Sequence, residues 1–90
     1  MYALNFTYEG YDDCIPYSVT IAVSEDVEKL RSKMAECIED DCREPNEDED
    51  KYDDSINYEV VRKSEDNALL NHREFGDLYT RYGIHQVEVL

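Results

Sequence analysis

The chain opens on strict alternation. Tyr2, Leu4, Phe6 and Tyr8 share one parity and Ala3, Asn5 and Thr7 the other, which predicts a half-buried strand over residues 2–8. Residues 9–13 hold Gly10 and two Asp and read as a turn. Alternation resumes over 15–23, with Tyr17, Val19, Ile21 and Val23 against Ser18, Thr20 and Ala22. Pro16 lacks an amide donor and marks a strand start or a sheet edge. The two strands are expected to pair as an antiparallel hairpin.

The period then changes. Ser24 is a good N-cap, with Glu25, Asp26 and Glu28 in the first turn. Val27, Leu30, Met34, Cys37, Ile38 and Asp41 follow helical spacing, so a helix is expected over about 25–42. Glu25 with Lys29 and Glu39 with Arg43 are favourable i,i+4 pairs. Residues 44–55 contain Pro45 and almost no apolar side chain, which predicts a mobile acidic loop. Ile56, Tyr58 and Val60 begin a third strand that runs to about Lys63. Residues 64–67 signal a turn, and Ala68–Leu70 a short returning strand. Phe75, Leu78, Tyr79 and Tyr82 sit at i, i+3, i+4 and i+7. With Gly83 as a left-handed stop, they predict a short helix over about 72–82. Val87 and Val89 predict a last strand. The whole chain, 1–90, reads as one α+β domain: a small mixed or antiparallel sheet with one main helix packed on one face.

The strand–helix passage from Ser18 to Met34 resembles the second strand and helix start of ubiquitin-like proteins. Gly76-Asp77-Leu78-Tyr79, followed by Ile84 and the last strand, loosely echoes their short helix and final strand. The resemblance implies a β-grasp fold and a generic binding or adaptor role. Conjugated modifiers end in a Gly-Gly tail, whereas this chain ends Val87-Glu88-Val89-Leu90. The likeness therefore implies no modifier activity, and no functional residue carries over.

Charge sharpens the picture. The 90 residues hold 23 Asp and Glu against 9 Lys and Arg, for a net charge of -14. The imbalance is local. Glu36, Glu39, Asp40, Asp41, Glu44, Glu47, Asp48, Glu49, Asp50, Asp53 and Asp54 crowd into residues 36–54, with only Arg43 and Lys51 opposing them. Such a surface repels nucleic acid phosphates and anionic membranes and favours a basic protein as partner. Glu39, Asp40 and Asp41 fall in the last helical turn, where the macrodipole is negative and an exposed acid costs about 0.3–1 kcal/mol. A local stability rule broken in this way points to function. The competing reading is a solvated loop that serves solubility. Tyr52 lies among the acids, either as an interface anchor or folded back on the core edge.

Other chemistry is thinly supported. Asp48 and Asp50 have the first EF-hand spacing, but Asp53 stands where that loop needs Gly. Cys14, Cys37 and Cys42 show no zinc-knuckle spacing, even with His72 or His85 added. Cys37 reads as a small buried hydrophobe and Cys42 as exposed, its thiolate disfavoured by acidic neighbours. His72 and His85 read as capping or surface residues. No nucleophile–base arrangement and no Gly-rich phosphate loop is present, so no enzyme activity and no cofactor are expected. There is no apolar run of membrane length and no leader at Met1–Phe6, which places the protein in the cytoplasm. The expectation is a non-enzymatic binding module, monomeric or weakly dimeric. In its sharp form it is an acidic inhibitor or immunity-type protein that occupies a basic groove through residues 36–54. In its alternative form it is a ubiquitin-like adaptor with a passive acidic loop.

Overall fold

The computed structural model describes residues 1–9 and 17–88. The expected turn beyond Glu9, Cys14, Pro16 and Val89 lie outside them. The described elements are β1 (Tyr2–Glu9), β2 (Tyr17–Ser24), α1 (Val27–Asp41), β3 (Tyr58–Lys63), β4 (Asn67–His72) and β5 (Tyr79–Gln86). The five strands form one sheet in the order β2-β1-β5-β4-β3, antiparallel at every pairing. One helix packs on one face, so the α+β expectation holds.

The expected hairpin forms, but with an extra residue. Leu4 faces Ala22 while Asn5 faces Thr20, leaving Ile21 as a bulge. The parity of β2 therefore switches. Val19 and Tyr17 lie opposite Phe6 and Tyr8 on the helix side, whereas Val23 pairs with Ala3 on the open side and is 56 % exposed. A second bulge at Val61 interrupts β3, between Val60 and Arg62. Both edge strands are thus kinked, which blunts edge-to-edge association.

Helix α1 starts two residues later than its sequence predicts. Asp26, not Ser24, is the N-cap and accepts from the Glu28 amide at 3.0 Å, while Ser24 Oγ accepts from the Asp26 amide. Leu30, Met34 and Ile38 are buried against Leu4, Ala68, Leu70, Tyr82 and Ile84. Arg31 ties the helix to the β3–β4 turn through Asp66 at 2.9 Å and also pairs with Glu28. Arg43 turns to Glu49 rather than Glu39, with a fork of two hydrogen bonds at 2.6 and 2.9 Å.

The short helix expected over 72–82 does not exist. Residues 73–78 form a turn, and Tyr79–Gln86 is a central strand paired with β1 on one side and β4 on the other. Thr80, Tyr82 and Ile84 alternate inward, a period-2 pattern overlaid on the helical spacing of Phe75, Leu78, Tyr79 and Tyr82. Two unpaired flanking strands decide in favour of the sheet, because a helix there would leave both edges of the gap unsatisfied. Gly83 has no positive φ and is mid-strand; a Cβ there would lie 3.4 Å from Asn67 Oδ1. Among the described residues the last strand is β5, and Val87 and Glu88 fall after it. The short helix that the β-grasp likeness drew on at Gly76–Tyr79 is therefore not formed.

Candidate functional site

The acidic residues of 36–54 run from the second half of α1 into the 42–57 connection. Glu36, Glu39 and Asp40 project from the helix into solvent. Glu44, Glu47, Asp48, Asp50, Asp53 and Asp54 are exposed along the connection, and Glu49 is half-buried. The connection is folded into turns. Asp50 accepts from the Tyr52 amide, Asp53 from the Ser55 amide and hydroxyl, and Glu49 from the Asn46 amide. The Arg43 fork and the Asn46 amide hold the Glu49 carboxyl below its usual range, and the Ser55 contacts do the same for Asp53. Glu36 is 3.9 Å from Lys33. Tyr52 is 51 % exposed yet tilts against Phe75, with ring centroids 5.6 Å apart, and Lys51 Nζ lies 5.2 Å from its ring centroid.

Two buried residues fasten this connection to the sheet. His72 is 1 % exposed. Its Nδ1 accepts from the Glu74 and Phe75 amides, capping the 73–78 turn, so Nε2 carries the proton and donates to the Asp53 carbonyl at 2.9 Å. The expected capping or surface role of His72 assumed a helix start; instead His72 ends β4, is buried, caps a turn and latches to Asp53. Asn57 adopts φ 68° and donates from Nδ2 to the Lys51 carbonyl, while its own amide donates to Arg43. Nothing in the local spacing marked it.

Behind the acidic rim lies a cleft of about 570 Å³ between the end of α1, the connection and the helix-side face of the sheet. Its walls are rings. Tyr8 and Tyr17 stack across β1 and β2 with centroids 5.3 Å apart, and Phe6 tilts against Tyr82 at 5.2 Å. Tyr58 donates its hydroxyl to the Asp54 carbonyl at 2.6 Å, and Tyr82 donates to Asp41 Oδ2. Burial pushes both phenols up, with the Asp41 bond adding to the effect at Tyr82. Asp41 is half-buried. Burial pushes its carboxyl up against the opposing pull of the Tyr82 hydrogen bond, and Asp40 adds repulsion. Thr80 forms part of the lining at 2 % exposure, and its Oγ1 has no hydrogen-bond partner.

The sequence placed Asp41 at the end of the apolar helical face, which was the one signal that it turns inward. The joining of Tyr8, Tyr17, Tyr58 and Tyr82 into one cleft had no local signal. Cys42 is half-buried against the core rather than exposed, and burial is the main cause raising its thiol and that of Cys37. Among the described residues, no group of three or more His, Cys, Asp or Glu is arranged to hold a metal ion, and no helix is long and apolar enough to cross a membrane.

The opposite face of the sheet is different in character. Thr20 donates to Asn5 Oδ1, Thr7 and Ser18 hydroxyls bond at 3.1 Å, and Arg81 pairs with Glu9 at 2.9 Å. A depression of about 490 Å³ there is lined by Arg62, Lys63, Arg81 and His85 together with polar and apolar residues. Compared with known proteins, the chain matches no family model, no curated protein and no solved structure.

Proposed function

We propose that the chain is a non-enzymatic protein-binding module whose acidic segment, residues 36–54, docks on a basic groove of a partner protein, as an inhibitor or immunity-type protein would. The observation that carries this reading is the disposition of the acids. Glu39, Asp40, Glu44, Glu47, Asp48, Asp50 and Asp54 are exposed along the end of α1 and the connection, while the cations of the segment are engaged, Arg43 by Glu49 and Lys51 against Tyr52. A field of one sign concentrated in one segment speeds association with a basic surface and selects against acidic ones. A tagged pull-down from source lysate, eluted stepwise with salt, tests it. A basic partner released at moderate salt, and lost when Glu44, Glu47, Asp48 and Asp50 become Gln or Asn, is the expected result. Capture unchanged in that variant refutes the reading.

A second reading, a ubiquitin-like adaptor that binds through its sheet, is favoured by the apolar edge strand β2. Tyr17, Val19, Ile21 and Val23 are all substantially exposed along it. Here the captured partner resists high salt and is lost when Val19 and Val23 become Thr.

A further inference from the structure

We infer that the tyrosine-walled cleft receives a cation on an apolar stem, a Lys or Arg side chain of the partner. The inference rests on the docking reading for its occupant and adds the place where that partner is anchored.

Three features of the cleft point the same way. First, its walls are aromatic rings, and the polar tips of two of them are already engaged. The Tyr58 hydroxyl is committed to the Asp54 carbonyl and the Tyr82 hydroxyl to Asp41. What remains for a visitor is ring surface from Phe6 and Tyr17, together with Ile21. Ring faces carry negative quadrupole density and attract a cation, while the methylenes of its stem cover apolar area. Secondly, the Asp41 carboxylate in the lining is unmatched by any cationic side chain there. Asp41 commits one oxygen to Tyr82 and keeps Oδ1 for another donor. Thirdly, Thr80 belongs to the floor of the cleft, and its Oγ1, buried beneath the surface, has no hydrogen-bond partner. A buried hydroxyl without a hydrogen bond is unusual in a folded protein, and a donor-rich ammonium or guanidinium can satisfy it with a small adjustment of the floor. An anion would meet the Asp41 carboxylate, and a purely apolar group would leave Asp41 and Thr80 unanswered.

The size also fits. About 570 Å³ is within the range of small-molecule sites and admits one long side chain with part of its backbone. The acidic rim would draw the basic partner in, and the cleft would hold one residue of it. That division, with rim charges setting the rate of encounter and a buried anchor holding the complex, is the usual anatomy of an interface.

The test needs no partner. The whole chain is titrated with n-butylammonium and, separately, with n-pentanol, which has similar bulk and no charge, while tyrosine ring resonances are followed by NMR. The ammonium is expected to shift the rings of Tyr8, Tyr17, Tyr58 and Tyr82 saturably and to bind about tenfold more tightly than the alcohol. Asp41→Asn keeps an acceptor for Tyr82 and should erase that preference. Tyr17→Ser, at an exposed edge position, should weaken the ammonium without unfolding the chain. The variant with Glu44, Glu47, Asp48 and Asp50 neutralised should keep its ammonium binding. Equal binding of the two probes, ring shifts that never saturate, or a preference that survives Asp41→Asn each overturn the inference. A lysate without a basic partner would overturn the docking reading and leave the probe result standing; a silent cleft would overturn only the anchor.

Discussion

His72 offers a substitution pair that separates two jobs of one side chain. Asn places Oδ1 where the imidazole has Nδ1, and Gln places Nε2 where the imidazole has its own. His72→Asn should therefore keep the cap on the Glu74 and Phe75 amides and lose the latch to Asp53. His72→Gln should keep the latch and lose the cap. Both lose the ring contacts to Tyr58, edge-on at 5.1 Å, and to Phe75 at 4.9 Å, about 0.5–1.5 kcal/mol each. On top of that shared loss, Asn forfeits one hydrogen bond and Gln two, at about 0.5–1.5 kcal/mol per bond. The Gln variant should thus be the less stable by about 1 kcal/mol. A chain of 90 residues has about 5–13 kcal/mol to lose, so both variants should fold. Urea unfolding measures the difference, and amide hydrogen exchange locates it. Exchange should quicken at Glu74 and Phe75 in the Gln variant, and at Asp53 and Asn57 in the Asn variant. Equal stabilities with the same exchange pattern would refute the assignment of roles to the two ring nitrogens.

Further expectations follow from the same contacts. Asn57→Ala places a Cβ-bearing residue without a local hydrogen bond at φ 68° and deletes the bond to the Lys51 carbonyl, which should cost about 2 kcal/mol in urea unfolding. Leu70→Ala, at a fully buried site, should cost about 2–5 kcal/mol by the same assay. The Asp41 carboxyl is raised in the folded state, so the folded chain binds the extra proton and stability falls as pH rises from the ordinary carboxyl range through the raised value. The difference in stability between wild type and Asp41→Asn, measured across that window, should grow with pH in favour of Asn; a constant difference would contradict the shift. Glu39→Gln with Asp40→Asn, removing two acids from a last turn that contains no basic residue, should raise stability by about 1 kcal/mol at low salt and less at high salt. Thermal unfolding at two ionic strengths reads both effects.

Much of this molecule is written in short-range pattern. The alternation of Tyr2–Tyr8 and the spacing of Leu30, Met34 and Ile38 each specify a face that must be buried, so strand and helix are legible without any partner. The acidity of residues 36–54 is likewise a property of composition alone. Residues 72–86 were not legible, because Phe75, Leu78, Tyr79 and Tyr82 satisfy a helical period while Thr80, Tyr82 and Ile84 satisfy a strand period. Only β1 and β4, each with an open edge, decide between them. The bulge at Ile21 is hidden for the same reason: alternation cannot show where a partner strand slips by one. The cleft lies further still from the local signal. Tyr8 and Tyr17 meet through the β1–β2 register, Tyr82 reaches Asp41 across half the chain, and His72 finds Asp53 only once the sheet is assembled. Sequence specified which residues need burial or partners. Which side chains meet was settled by the packing of the helix on the antiparallel sheet, since contacts between residues distant in the chain form only when the whole sheet has closed.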